Sequence, residues 1–163
     1  AKDIGGFDSD YGYLYEDTDI SWRVWLAGYK VLYFSSLESV HMMSATASST
    51  YSHSRRQFMS KRNKMVTFLK NLEWVTLIRF SPIILMVVLV ELIILKPKAA
   101  IFMGNIDPFL NFKKIFKKRK EIKKFRKITD KEIVTFFVSD HWKVIKRCIG
   151  GNLKFNSSLL KRN

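Results

Sequence analysis

The chain is 163 residues long, enough for one domain of ordinary size, and carries 29 Lys+Arg against 14 Asp+Glu, a net charge of +15. That balance points to a polyanionic partner: nucleic acid, anionic lipid or a phosphorylated substrate. The single cysteine, Cys148, excludes an internal disulfide and a cysteine metal cluster, and reads as a small packed residue. Half of the acids lie in the first third, and the basic excess peaks at 113–127. The chain opens on Ala1 and runs at once into a turn-like sequence, so it reads as a fragment or processed chain whose first half lies elsewhere.

Residues 1–15 read as a turn and aromatic loop, with Tyr11, Tyr13 and Tyr15 at period two, either a short strand or a ligand-lining loop. The run Tyr15-Glu16-Asp17-Thr18-Asp19-Ile20-Ser21-Trp22-Arg23 predicts a helix over 16–27, stopped by Gly28. Tyr29–Phe34 and Glu38–Met42 read as strands, and 44–54 as a small, polar loop. A helix over about 54–72 follows, with Phe58, Arg62, Met65, Val66, Leu69 and Leu72 on one face.

From Trp74 to Leu95 the chain is mostly apolar, broken by Arg79, Pro82 and Glu91. A spanning helix needs roughly 20 apolar residues, and each charge at a bilayer centre costs about 2.5–3.5 kcal/mol. The favoured reading is a helix in the membrane interface, or a re-entrant or short hairpin element; a full span and a buried core helix remain as alternatives. Lys96-Pro97-Lys98 ends the segment.

Residues 109–127 place Phe109, Phe112, Ile115, Phe116, Ile122 and Phe125 near helical spacing among Lys and Arg. This is the pattern of a basic amphipathic helix for an anionic membrane surface, with a solvated charged face as the plain alternative. Thr129 and Glu132 form a capping box for a helix reaching about Ile145, and 150–163 is weakly patterned.

Three groups of residues could carry chemistry. Glu16, Asp17 and Asp19 cluster at a helix start, where backbone N–H groups favour charged carboxylates; they suit either a general base or a simple acidic cap. His41 ends the second strand and reads as a metal or phosphate contact or as an ordinary histidine. Arg55, Arg56, Lys61, Arg62 and Lys64, with Asn63 among them, read as a diphosphate or acceptor grip or as an exposed basic face. No phosphate-cradling glycine loop, zinc spacing or serine elbow is present. His53 and His141 receive no role.

Taken in order, Ile4-Gly5-Gly6-Phe7-Asp8, Tyr15 through Arg23, Ala27-Gly28-Tyr29-Lys30-Val31-Leu32-Tyr33, Val40-His41 and Lys61-Arg62-Asn63-Lys64 with Phe68-Leu69-Lys70-Asn71 resemble the C-terminal half of a family 2 glycosyltransferase catalytic domain. The nearest branch is the rhamnosyltransferase-like one that builds surface polysaccharides of the cell envelope. The resemblance covers about residues 4–71. It implies an α/β fold, the C-terminal half of a GT-A nucleotide-diphospho-sugar transferase domain over 1–72, followed by an apolar membrane-associated segment over 73–103 and a basic amphipathic tail over 104–163.

It also implies an inverting transfer, rhamnose being one candidate sugar, from a nucleotide-diphosphate donor to a glycan or lipid-linked acceptor, at the cytoplasmic face of the cell membrane. Asp17 would be the general base and Glu16 would support the acceptor. Asp19, Trp22, Arg23 and Arg62 would support the site, and His41 would be a ligand of a divalent cation, Mg or Mn. Met42, Met43, Ser44 and Ala45 follow His41 where the family often has glycine, and the nucleotide-binding half that carries the family's metal motif is not represented before Glu16. The expectation is therefore half an active site, with no nucleic acid involved. The competing reading is a non-enzymatic basic module that binds anionic membranes or nucleic acid.

Overall fold

The computed structural model describes residues 2–32 and 50–134. The chain divides into two units, Ala1–Ile133 and Val134–Asn163, and the described helices belong to the first, the last of them ending one residue beyond it. Among the described residues every regular element is a helix and there is no strand. The expected α/β, GT-A architecture is therefore corrected: the described fold is all-α.

After a single 3₁₀ turn at Lys2–Ile4, the Tyr11–Tyr15 segment is a tight turn and not a strand, with the Tyr13 N–H donating to the Tyr11 carbonyl at 2.7 Å. Helix α1, Glu16–Leu26, starts and stops close to expectation. Its acids fill the first turn and Arg23 the last, which suits the helix dipole at both ends. Gly28 follows the C-cap at φ 82°, a left-handed angle that a Cβ would strain.

The strand expected at Tyr29–Phe34 does not form over 29–32, which are exposed and carry no ladder. A strand needs a neighbour to satisfy its backbone. Here the nearest open acceptor, the Leu26 carbonyl, takes the N–H groups of Lys127 and Ile128 instead, at 2.7 and 3.2 Å. The remainder of that element, Glu38–Met42, the 44–49 loop and His41 lie outside the described residues.

Helix α2, His53–Asn71, is capped by Ser52, whose hydroxyl accepts the Arg55 N–H at 3.3 Å. It is the central element, packed by α1, by α4 (Lys98–Leu110) and by α5 (Phe112–Phe125). Its burial is wider than one apolar face, because Lys61, Asn63, Thr67, Lys70 and Asn71 are buried beside Met59, Met65, Val66 and Leu69. Val66 and Leu69 join Tyr11, Leu77 and Ile115 in one apolar cluster. Leu26, Ile122 and Ile133 form a second, flanked by Trp22, Trp25 and Phe125.

Helix α3, Trp74–Ile94, is one continuous helix of 21 residues, so the hairpin reading is corrected. Pro82 removes the N–H that would bond the Ile78 carbonyl, and the Ser81 hydroxyl donates to that carbonyl instead, at 2.8 Å. The core-helix reading is corrected as well, since Leu77 is its one buried residue. At about 1.5 Å per residue the helix is about 31 Å long, matching a hydrocarbon core of about 30 Å. By length and composition it is apolar enough to cross a membrane.

Helix α4 was not expected, because Gly104, Asn105, Asp107 and Pro108 all weaken a helix in isolation. Packing on α2 supplies what propensity lacks. Gly104 makes that packing possible: a Cβ there would lie 2.5 Å from the Phe58 carbonyl oxygen and 3.0 Å from the Lys61 Cβ. The single helix expected over 109–127 is interrupted at Asn111, which ends α4 and starts α5 while its amide donates to the Asp107 carbonyl at 3.1 Å. The last helix, α6, Asp130–Val134, opens on the expected capping box. Glu132 accepts the Thr129 N–H at 2.8 Å, and Thr129 accepts the Glu132 N–H at 3.3 Å.

Replacing Gly104 by valine should push α4 off α2 and destabilise the fold by about 1–3 kcal/mol. Chemical unfolding monitored by helical circular dichroism measures it; an unchanged midpoint would show that the two helices do not need their close approach.

Candidate functional site

The site expected around the start of α1 resolves into a buried ionic centre and an exposed carboxylate standing on top of it. Asp19 is the centre and is fully buried. Its Oδ2 accepts from Arg23 Nε at 2.9 Å, one helical turn on. Its Oδ1 accepts from Asn71 at 2.9 Å and from the Tyr11 hydroxyl at 3.2 Å, and lies 2.7 Å from Lys70 Nζ. Two cations thus share one carboxylate, which suits burial, since a lone buried charge would be prohibitive.

The second cation is balanced by Asp8, 2.7 Å from Lys70 and also paired with Lys118 of α5. Arg23 ties in the N-terminal turn, donating to the carbonyls of Ile4 and, at 2.6 Å, Gly6. Burial would raise the Asp8 pKa, but hydrogen bonds from Lys118 and Lys70 outweigh it and hold the carboxyl well below the usual range. Asp10 is held down likewise by Lys114 and Lys118. Burial, reinforced by the Asp19 charge, pushes the Tyr11 phenol up, so it remains a donor.

A second device fixes the turn before the helix. Leu14 and Tyr15 both have left-handed backbones, φ 68° and 69°, which costs roughly 1–3 kcal/mol per residue unless the surroundings impose it. Asn63, fully buried on α2, imposes it. Its amide group faces the carbonyls of Tyr11 at 3.0 Å, Tyr13 at 2.7 Å and Leu14 at 2.9 Å, and its two protons serve these three acceptors. Arg62 holds the same loop from the side, donating to the Asp10 carbonyl at 2.9 Å and pairing with Asp107 at 3.0 Å.

On this platform stand Glu16 and Asp17. Glu16 is half-buried, and its Oε2 is shielded from solvent without a hydrogen-bond partner among the described residues. Asp17 is exposed, with one oxygen accepting the Thr18 N–H at 2.6 Å. Neither acts as the cap of α1: the N-cap is Tyr15, with no side-chain cap bond. Of the three expected acids, Asp19 is spent inside the protein, and Asp17 is the one open to a ligand. Trp22 is half-buried, edge-on to Phe68 at 6.5 Å.

The expected cationic grip does not assemble. Arg62 is committed to Asp107 and the loop, and Lys61 and Lys64 both bind Glu91 of α3, at 3.0 and 2.8 Å. Arg55 is exposed and lies over the Phe58 ring at 5.4 Å. Among the described residues no three His, Cys, Asp or Glu side chains come together as a metal site, and His41, the expected ligand, lies outside them.

The sequence motifs assign no site role to Tyr11, Lys70 or Asn71, nor to Thr67, whose hydroxyl lies 2.8 Å from that of Tyr11. One signal was available: polar residues at 63, 67, 70 and 71 recur with helical spacing, the pattern of a polar stripe turned inward. Compared with protein-family models, curated proteins and solved structures, the chain matches none.

Asp19→Asn keeps the shape but leaves Arg23 and Lys70 underpaired in the interior. It should cost about 3–5 kcal/mol, read from a denaturant midpoint; a loss below about 1 kcal/mol would mean the centre is not ionic in practice. Asp8 and Asp10 have depressed folded pKa values, so their stabilisation is full above the unfolded value of about 4 and drains as pH falls through and below it. Stability should thus be flat from about pH 7 to 5 and fall below about pH 4. Lys118→Met should make that acid decline shallower; an identical slope in the variant would exclude Lys118 as its source.

Proposed function

We propose that this chain forms the acceptor side of an inverting sugar transferase working at a membrane surface. The observation that carries the reading is the exposed Asp17 carboxylate beside the half-buried Glu16, on a helix start made rigid by the Asp19 centre and the Asn63 clamp. The resemblance of residues 4–71 to family 2 glycosyltransferases in the order of its motifs supports it, while the described fold is all-α and not the GT-A fold of that family.

In this mechanism Asp17 takes the proton of an acceptor hydroxyl as that oxygen attacks the anomeric carbon of a nucleotide-diphosphate sugar. The bond to the diphosphate breaks as the new glycosidic bond forms, inverting the centre. A base on a locked platform contributes through orientation as well as proton transfer. Glu16, half-buried beside the base, supports the acceptor side of the site.

The membrane enters through α3. Its outward residues, among them Val75, Ile78, Leu85, Met86, Ile93 and Ile94, are exposed apolar side chains on a scale that marks an interaction surface. The far end of α3 is held along α2: Glu91 binds Lys61 and Lys64, and just beyond the helix His53 bonds the Lys96 carbonyl at 2.9 Å. A helix tied to a polar, lysine-rich neighbour cannot cross hydrocarbon without dragging those charges with it. Helix α3 therefore lies in the interfacial plane, apolar side down. Lys113, Lys117, Lys120 and Lys124 fall at spacings of four, three and four on α5 and make one outward stripe for the anionic cytoplasmic leaflet. That stripe and α3 also favour a second reading, a membrane-binding module without catalysis.

The two readings separate on one variant. In the full-length protein, Asp17→Asn should lower sugar transfer by about 10²–10⁴-fold while leaving helical content and vesicle binding unchanged. Transfer at wild-type rate would remove Asp17 as the base and leave the binding module.

A further inference from the structure

Beside the start of α3 lies a groove of about 470 Å³, walled by Trp74 on one side and by the α5 residues Phe116, Arg119, Lys120 and Lys123 on the other, with Arg126 at its end. The charge in it is unbalanced. Arg126 is neutralised by Asp130, and Lys70, which also reaches the groove, is spent on Asp8 and Asp19. Glu73, the one carboxylate lining it, accepts the Asp130 N–H at 3.0 Å and lies 3.8 Å from Arg126. Arg119, Lys120 and Lys123 make no ion pair among the described residues, so three cations share the groove with the single carboxylate of Glu73.

Two of them are held by aromatic rings. The Arg119 guanidinium lies over the Trp74 ring at 4.1 Å while donating to the Leu69 carbonyl, and Lys120 lies over Phe116 at 5.0 Å. Trp74 and Phe112 are 6.2 Å apart, and Phe112 stacks on Phe116 at 6.0 Å. Burial and the nearby Arg126 charge lower the Arg119 pKa against the opposing pull of Asp130 and Glu73. The groove meets the exposed apolar side of α3 at Val75, which is 78% exposed. A ligand filling it would have an anionic end among guanidinium and ammonium groups and an apolar end running along α3.

We infer that this groove binds the phosphate headgroup of an anionic phospholipid, with its acyl chains along α3. The inference rests on the in-plane placement of α3 proposed above but not on catalysis by Asp17. Guanidinium and ammonium groups lining one groove suit a phosphate, whose several oxygens can each accept a charge-assisted hydrogen bond. Tryptophan at the edge of such a site matches the preference of indole for the level of the headgroups.

The test compares two pairs of lysines on the same helix, one in the groove and one outside it. The full-length protein is mixed with phosphatidylcholine vesicles doped either with phosphatidylglycerol or with oleate, matched in measured surface potential, and binding is read by flotation. Wild type and Lys113→Gln/Lys117→Gln should both prefer phosphatidylglycerol, by about tenfold, the control pair binding both vesicles more weakly. Lys120→Gln/Lys123→Gln should bind the two vesicle types equally. Equal binding of both vesicle types by wild type, or a preference retained by the groove variant, would overturn the headgroup site while leaving the membrane reading standing. Failure of wild type to bind either vesicle would overturn both.

Discussion

One buried carboxylate organises the described part of this protein. Asp19 receives Arg23 from its own helix and Lys70, Asn71 and Tyr11 from two other segments. The two cations among these partners are themselves held by something further: Arg23 by the N-terminal turn, and Lys70 by Asp8, which Lys118 holds in turn. A charge removed from water must be compensated locally, so these segments cannot separate without exposing an unpaired ion to a poor solvent. Specificity of arrangement, more than net stabilisation, is what such a centre contributes.

The consequences reach both surfaces. Toward the α1 start, the ionic centre and the Asn63 amide together hold two left-handed residues in place and present Asp17 to solvent. Toward the apolar surface, α2 carries two of its lysines to Glu91 and so fixes the line of α3. The same helix thus positions the candidate base and the apolar surface. Any sugar transfer to a lipid-linked acceptor would need those two features in a fixed relation, because a base misplaced by an ångström loses much of its effect.

The basic helix α5 carries two sets of lysines. Lys114 and Lys118 turn to Asp10 and Asp8, while Lys113, Lys117, Lys120 and Lys124 face outward. Composition alone cannot separate them, since all are lysines in a single charge run. Only the location of Asp8 and Asp10, far away at the other end of the chain, decides which lysines are structural.

Local signals were legible wherever the cause is local. The start of α1, its stop at Gly28, the extent of α2 and the Thr129–Glu132 capping box follow from spacing, capping and backbone freedom within a few residues. So did the apolar character of 74–95 and the basic amphipathic character of α5. What the tertiary structure decided is everything that depends on a partner. Residues 29–32 had strand chemistry but no neighbouring strand among the described residues, and α4 had poor helix chemistry but a neighbouring helix that fits Gly104. Arg62 had the appearance of a ligand grip and became a loop fastener once Asp107 stood 3.0 Å away. Asp17 and Asp19, neighbours in one acidic motif, point to opposite fates because a helix turns about 200° between them: one meets water, and the other meets Arg23 and Lys70.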